Sequence, residues 1–265
     1  MQASNCQNCN HLLSETYNFC PICSQTTHIH RFSIKHLLHE FFHAFTHTDR
    51  GILLLLKGLA TNPGVVLKEY IIEGKRKKYF SPFTFLLIVL GISVIMNTIV
   101  HPFVSPPNPN PAVLAQIKSP TGKQKYIKSM EKIYNLNSFI EKRSNIVTML
   151  AIPLITLVFW LMFKRKNITY AEHFVAYVLM IGFAILVATF TIIPLMSLFK
   201  GTTYYFVLVI ANLVLQMVYF SWGYKTFLNL KKTSQVLRVA LANFLGILFW
   251  TVLSMLVAVA YILWF

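Results

Sequence analysis

The last two thirds of the chain alternate long apolar runs with short polar and basic segments. Five runs approach the roughly 20 apolar residues that a helix needs to cross a 30 Å hydrocarbon core. They cover residues 82–100, 145–163, 173–198, 203–222 and 236–264. The pattern predicts an all-α membrane protein whose residues 81–265 form a bundle of about five transmembrane helices. Pro194 predicts a kink near the end of the third span.

Residues 31–80 carry an amphipathic pattern instead. Over residues 33–47, apolar side chains recur at the i, i+3, i+4 and i+7 positions of one helix face. Two shorter helices are expected on either side of Asn62-Pro63-Gly64, where a regular helix cannot continue. Helices of this kind lie in the membrane interface or pack under a bundle. We therefore predict amphipathic interfacial helices in the juxtamembrane region that precedes the first span.

The loop over residues 101–144 separates the first two spans. Four prolines between residues 106 and 111 favour an extended, polyproline-like spacer. Residues 124–142 then resume helical periodicity, which predicts a short helix on the outer surface of the membrane.

The formal charge of +16 comes from 24 Lys and Arg against 8 acids, and the positions of the basic residues predict how the chain is oriented in the membrane. In a soluble protein such a charge would point to nucleic acid, but no interleaving of aromatic and basic residues supports that partner here. The basic residues flank the apolar runs, where they set topology and contact anionic lipid head groups. The positive-inside rule places the N-terminus in the cytosol and the C-terminus outside. Seven basic residues in loop 101–144 run against this assignment.

The four cysteines all lie within the first 23 residues, as two C-x-x-C pairs. Two thiolates three positions apart can wrap one metal ion, and a second pair completes a tetrahedron. We expect residues 1–30 to form a zinc ribbon in a reducing compartment, with two disulfides or a redox pair as alternatives. A closed four-thiolate site has no open position, so its role is structural rather than catalytic. The expected ligands of this one structural zinc ion are Cys6, Cys9, Cys20 and Cys23.

A second metal-binding pattern lies in the amphipathic region. His39-Glu40-Phe41-Phe42-His43 matches the H-E-x-x-H motif, in which two histidines hold zinc and the glutamate acts as a general base. His47 lies about 12 Å further along a straight helix than His39, too far to complete the site. Together with His36, these histidines can equally form the polar face of the helix or a stripe that senses metal or pH.

A third candidate site opens the third span. Glu172 and His173 are adjacent ionisable residues at a membrane boundary, where they can bind a cation, relay protons or pair with a basic loop. They can also be ordinary interfacial polar residues. Beyond them no span carries Asp, Glu, Lys or Arg in its interior, which argues against an ion-coupled carrier.

Several of these motifs occur together in an order that extends over most of the chain. They are Leu37 to Phe45, Asp49-Arg50-Gly51, Asn62-Pro63-Gly64, Glu69-Tyr70, Gly74 to Tyr79, Ser81-Pro82-Phe83, Tyr170 to His173 and Tyr219 to Lys225. This order resembles bacterial membrane proteins, frequent in Bacteroidetes, that are grouped as a domain of unknown function. The resemblance implies an inner-membrane protein with a cytosolic zinc ribbon, and it carries no activity.

The basic block within that order has a further implication. Its match to the Gly-Lys-Arg block of the family suggests more than a topology signal, and a guanidinium such as that of Arg76 suits a lipid phosphate or a partner carboxylate. The residues expected to make such contacts are Lys75, Arg76, Lys77 and Lys78.

The sequence as a whole predicts a multi-pass inner-membrane protein with a cytosolic N-terminus. We expect a non-enzymatic interaction, assembly or regulatory protein whose ribbon binds a cytosolic protein. Two alternatives stay open. One is a transporter or channel component that uses Glu172 and His173, and the other is a membrane metalloenzyme that uses His39, Glu40 and His43.

Overall fold

The computed structural model describes residues 4–5, 11–14, 17–22, 51–75, 78–103 and 107–264. The chain divides into two units, Met1–Asp49 and Arg50–Phe265. The stripe of His36, His39, Glu40, His43 and His47 lies outside the described residues.

The first unit contains a small antiparallel hairpin. Its strands are β1 (Ser4–Asn5) and β2 (Leu12–Leu13), and Ser4 lies opposite Leu13. Leu13 and Cys20 are buried together, with exposed fractions of 5% and 1%. They form the apolar centre of the part of this unit that the structure describes.

The second unit is helical. In chain order, its helices are α1 (Gly51–Thr61, as far as it is described), α2 (Pro63–Leu67), α3 (Pro82–Val100), α4 (Pro111–Gln116), α5 (Pro120–Lys142), α6 (Ser144–Phe163), α7 (Tyr170–Phe190), α8 (Ile192–Leu198), α9 (Thr203–Phe227) and α10 (Thr233–Trp264). A proline occupies the first turn of α2, α3, α4 and α5, where its missing N–H leaves no hydrogen bond unmade.

Five segments of this unit are long and apolar enough to cross a membrane, which confirms the predicted number of spans within the described residues. They are α3, α6, α7 continued by α8, α9 and α10. Each span starts and ends within a few residues of the boundary that hydropathy predicts, except that α9 extends five residues further, to Phe227.

The third span is interrupted at Thr191, which separates α7 from α8. Pro194 causes this break because it has no N–H to donate to the carbonyl of Phe190, and its ring crowds that carbonyl. The interruption thus lies where Pro194 predicts a kink.

The helix α7 lies at the centre of the bundle. It contacts α3, α6 and α9, and every residue from Ala176 to Ile181 is buried. A helix that is apolar on all sides lies in a protein core or in a membrane, and protein neighbours cover this stretch of α7. By contrast, α9 and α10 leave many large apolar side chains exposed, including Phe206 and Met255, and in a bilayer these faces contact lipid tails.

A cluster of aromatic rings fills the core between α6, α7 and α9. The ring centres of Phe159 and Tyr224 are 4.8 Å apart, and those of Tyr177 and Phe220 are 5.0 Å apart. All four side chains are at most 1% exposed. Tilted ring pairs at such distances stabilise a core beyond the area that they bury.

The loop between α3 and α6 contains the helix predicted over residues 124–142, since α5 covers these residues and begins four residues earlier. One carboxylate fastens its C-terminal end to the bundle. Glu141 is buried, its Oε1 lies 2.7 Å from Nδ1 of His101, and its Oε2 accepts a 3.1 Å hydrogen bond from the Phe103 backbone.

The juxtamembrane helices α1 and α2 pack into the bundle, which is one of the two arrangements that the sequence predicts. Their inward side chains belong to the main core and include Leu55, Leu59 and Leu67, each fully buried. The hydroxyl of Tyr219 on α9 donates a 3.1 Å hydrogen bond to the carbonyl of Leu59. This segment is therefore part of the bundle rather than a detached interfacial helix.

Glycine permits the closest approach between α2 and α9. A Cβ at Gly64 would overlap the carbonyl oxygen of Gly223 and the Cβ of Thr226, and would lie 3.1 Å from the Phe227 nitrogen. Gly91 on α3 has no such neighbour, because a Cβ there meets nothing within 4 Å.

These two glycines provide a matched test of the packing. Gly64→Ala should force α2 away from α9 and destabilise the fold by about 1–3 kcal/mol, seen as a lower melting temperature of the detergent-solubilised protein. Gly91→Ala should be neutral or slightly stabilising, since alanine favours a helix over glycine. Equal melting temperatures for the two variants would contradict the close contact.

A candidate juxtamembrane site

The backbone between α2 and α3 turns back on itself. A π-helical turn over Lys68–Ile72 follows α2 directly, and Gly74 then takes a left-handed conformation with φ +70°. A Cβ at Gly74 would meet nothing within 4 Å, so backbone conformation rather than space favours glycine there. The N–H of Lys75 donates a 3.0 Å hydrogen bond to the Glu69 carbonyl. This reversal brings the side chains of Lys75, Lys78 and Tyr79 back to Glu69.

The carboxylate of Glu69 is the centre of the site. Its Oε2 lies 2.6 Å from Nζ of Lys78 and accepts a hydrogen bond from the hydroxyl of Tyr79, while its Oε1 lies 3.3 Å from Nζ of Lys75. Lys75 also pairs with Glu73 at 2.7 Å, and the ammonium of Lys78 lies 5.2 Å from the Tyr79 ring centre. We call these five side chains the Glu69 network.

The contacts within the Glu69 network shift the pKa values of its members. The hydrogen bonds from Lys78 and then Tyr79 lower the pKa of Glu69 from 4.5 to about 2. Pairing with Glu73 raises the pKa of Lys75, and pairing with Glu69 raises that of Lys78. Burial raises the pKa of the Tyr79 hydroxyl. A carboxylate with a pKa near 2 is a poor proton acceptor at neutral pH, so the network suits a structural role better than acid–base catalysis.

A cavity of about 290 Å³ lies where the π-helical turn and the first turn of α3 meet the start of α7. Tyr70 and Phe83 line one side of it, and Glu172 is the one carboxylate among the described residues that line it. That carboxylate also caps α7. Its Oε2 accepts a 2.7 Å hydrogen bond from the N–H of Thr169, whose hydroxyl accepts a 3.2 Å bond from the Glu172 N–H.

His173 faces the core instead of this cavity. It is fully buried, and its ring stacks on that of Tyr224 at 5.9 Å with an interplanar angle of 9°. Neither ring nitrogen has a hydrogen-bond partner among the described residues, and the same holds for the hydroxyls of Tyr177 and Tyr224. The structure therefore separates Glu172 and His173, although they are adjacent in sequence.

Comparison with known proteins singles out the same segment. Residues 49–94 match a family described as "Protein of unknown function (DUF3667)". This match confirms the predicted resemblance to a domain of unknown function over those residues. It covers the described α1, α2, the whole Glu69 network and more than half of α3. No curated protein and no solved structure matches the chain.

Most of the metal-binding residues expected from the sequence lie outside the described residues, namely Cys6, Cys9, Cys23 and the histidine stripe with Glu40. Of the expected zinc ligands only Cys20 is described, and it is buried. In the part of the chain that the structure describes, no three His, Cys, Asp or Glu side chains gather around one point.

Two lysines of the basic block, Lys75 and Lys78, make contacts that the sequence pattern does not predict. The pattern assigns all four of its residues to lipid or partner contacts, whereas Lys75 and Lys78 pair with acids of the same chain. Arg76 and Lys77 lie outside the described residues. A sequence signal for the pairing exists, because Glu69 and Glu73 are the only acids between residues 50 and 100 and they closely precede the block. Their sequence spacing alone does not show that a left-handed Gly74 brings them together.

The lowered pKa of Glu69 predicts a pH-dependent contribution to stability. Because the folded value lies below the ordinary 4.5, the contribution is complete above about pH 4.5 and is lost as the pH falls towards 2. Glu69→Gln should lower the melting temperature by roughly 2–4 °C at pH 7, and the gap to the native protein should narrow over that acidic range.

Glu131→Gln is the matched control for this change, since Glu131 lies on an exposed face of α5. It should leave the melting temperature unchanged at pH 7. The difference in melting temperature between the native protein and Glu69→Gln could instead stay constant from pH 7 to pH 2. That result would show that the lost charge does not cause the destabilisation.

Proposed function

We propose that this chain is a non-enzymatic membrane adaptor whose N-terminal head binds a cytosolic protein. The observation that supports this most directly is the exposure of large apolar side chains on the described part of a very small head. Leu12, Phe19 and Ile22 are 64%, 60% and 68% exposed. Exposed apolar side chains of this size are typical of surfaces that bind another protein.

The head takes the form of a zinc ribbon in this proposal. Cys6, Cys9, Cys20 and Cys23 hold one structural zinc ion. Two described features fit that assignment, because β1 and β2 bracket the segment that carries the first cysteine pair, and Cys20 is buried against Leu13. The ion supplies folding free energy that so small a head cannot obtain from an apolar core.

The second unit anchors the head in the bacterial inner membrane with the N-terminus in the cytosol. Consecutive spans cross the membrane in opposite directions. The start of α3, the end of α6, the end of α9 and the start of α10 therefore lie at the same end of the bundle. The cations Lys75, Lys164, Lys225 and Lys231 lie at those termini or in the loops beside them, which fits a cytosolic face. Between residues 69 and 79 the sequence has four cations and two acids, so a net charge of 4 − 2 = +2 remains. We assign that excess charge to contacts with anionic lipid head groups.

Site-specific photocrosslinking in living cells tests the adaptor function. A photoreactive benzoylphenylalanine in place of Phe19 should crosslink a discrete cytosolic protein, and the same group in place of Phe139, an exposed residue of α5, should not. Cys6→Ser with Cys20→Ser should abolish that crosslink and lower the zinc content of the purified chain from about one ion per chain. A crosslink that persists without the cysteines, or that captures only proteins from outside the cytosol, would overturn the proposal.

Two further variants separate the alternatives within the same experiment. Glu40→Gln and Glu172→Gln should both retain the crosslink and the zinc. A second, labile metal ion that depends on His39 and His43 would indicate a metalloenzyme instead. Flux through proteoliposomes that disappears in Glu172→Gln would indicate a transport component.

A further inference from the structure

A second cavity, of about 530 Å³, opens between the C-terminal end of α6 and the N-terminal turns of α10. Phe163 and Leu230 belong to its lining and are almost completely buried, which gives the cavity an apolar floor. The polar part of the lining consists of three cations and one amide, namely Lys164, Lys166, Arg238 and Gln235. The cavity lies at the membrane boundary, because the span of α6 ends at Phe163 and that of α10 begins at Thr233.

All the side-chain polar groups that this cavity can offer are donors. Gln235 directs its Oε1 to the backbone N–H groups of Lys231 and Lys232, at 3.3 and 3.4 Å, so only its amide NH₂ remains for a ligand. Among the described residues, no acid lines the cavity and none of its three cations pairs with a carboxylate. In the juxtamembrane site, by contrast, Glu69 and Glu73 compensate Lys75 and Lys78.

Two local features add to the positive potential at this point. The ammonium of Lys164 lies 5.3 Å from the ring of Trp160, which keeps it on the face of an interfacial aromatic residue. The N-terminus of α10, a helix of 32 residues, presents backbone N–H groups on the same side of the bundle, and Arg238 lies in the second turn of that helix.

We propose that this cavity binds the phosphate head group of an anionic membrane lipid. Lys166 and Arg238 compensate the phosphate charge, Gln235 donates a hydrogen bond, and the acyl chains leave along the exposed apolar side of α6 near Leu161. An apolar floor at the membrane boundary favours a lipid over a free anion, since a free anion gains nothing from it. Basic pockets between transmembrane helices recognise lipid head groups in this way. This inference does not rest on the proposed function of the head.

Native mass spectrometry of the full chain, titrated with phosphatidylglycerol in detergent, tests the site. Lys166→Gln with Arg238→Gln should weaken binding of the first lipid by at least about tenfold. Both side chains are exposed, so the change should leave the melting temperature unaltered. Lys231→Gln with Lys232→Gln removes the same charge from the same face without touching the cavity lining, and it should weaken binding less than about twofold.

Two further titrations distinguish a lipid phosphate from free inorganic phosphate. Phosphatidylcholine should bind far more weakly than phosphatidylglycerol, and millimolar inorganic phosphate should not displace the bound lipid. If the two double variants lost the same lipid affinity, the lipid would be binding to a general basic surface and the proposed site would be wrong. Displacement by inorganic phosphate at low concentration would assign the cavity to a free anion and overturn the lipid proposal.

Discussion

The close contact between α2 and α9 is the constraint on which the rest of the second unit depends. Gly64 faces Gly223 across it, and no larger residue fits at Gly64 without moving a backbone. Because α2 is held there, the π-helical turn that follows has a fixed starting point, and the Glu69 carboxylate is presented to Lys75, Lys78 and Tyr79. In this segment the glycine contact fixes the position of α2, and the Glu69 network adds contacts within the turn that follows.

Three of the five acids of the second unit have a structural use. Glu69 holds the turn before α3, Glu141 fastens the end of α5 to His101, and Glu172 caps α7. Each compensates a local cation or a set of backbone donors, so these carboxylates are engaged inside the fold. The cations are more numerous, and the three that line the cavity between α6 and α10 pair with no carboxylate among the described residues. Many basic residues of the chain flank its apolar runs, and lipid phosphates lie at the corresponding depth of a bilayer.

Hydropathy predicts the spans well because a bilayer requires a long apolar helix whatever its neighbours are. Prediction also succeeds at Pro194, where a missing N–H breaks a helix locally. It does not extend to contacts between distant segments. Nothing in the local pattern shows that Leu55 and Leu59 are buried in the main core, that Glu69 meets residues six to ten positions later, or that Glu172 and His173 face different surroundings. Those outcomes depend on which helix faces pack together, and lipid-facing and core-facing residues are equally apolar in a membrane protein.

Hydrogen exchange of the full chain in lipid nanodiscs measures most directly whether the juxtamembrane segment is part of the bundle. If α1 and α2 are packed as described, the amides of residues 51–67 should exchange at rates within about tenfold of those in the central helix α7. The amides of α5, which is attached mainly at its end, should exchange faster than both. Exchange of residues 51–67 as fast as that of α5, with α7 still protected, would contradict the account.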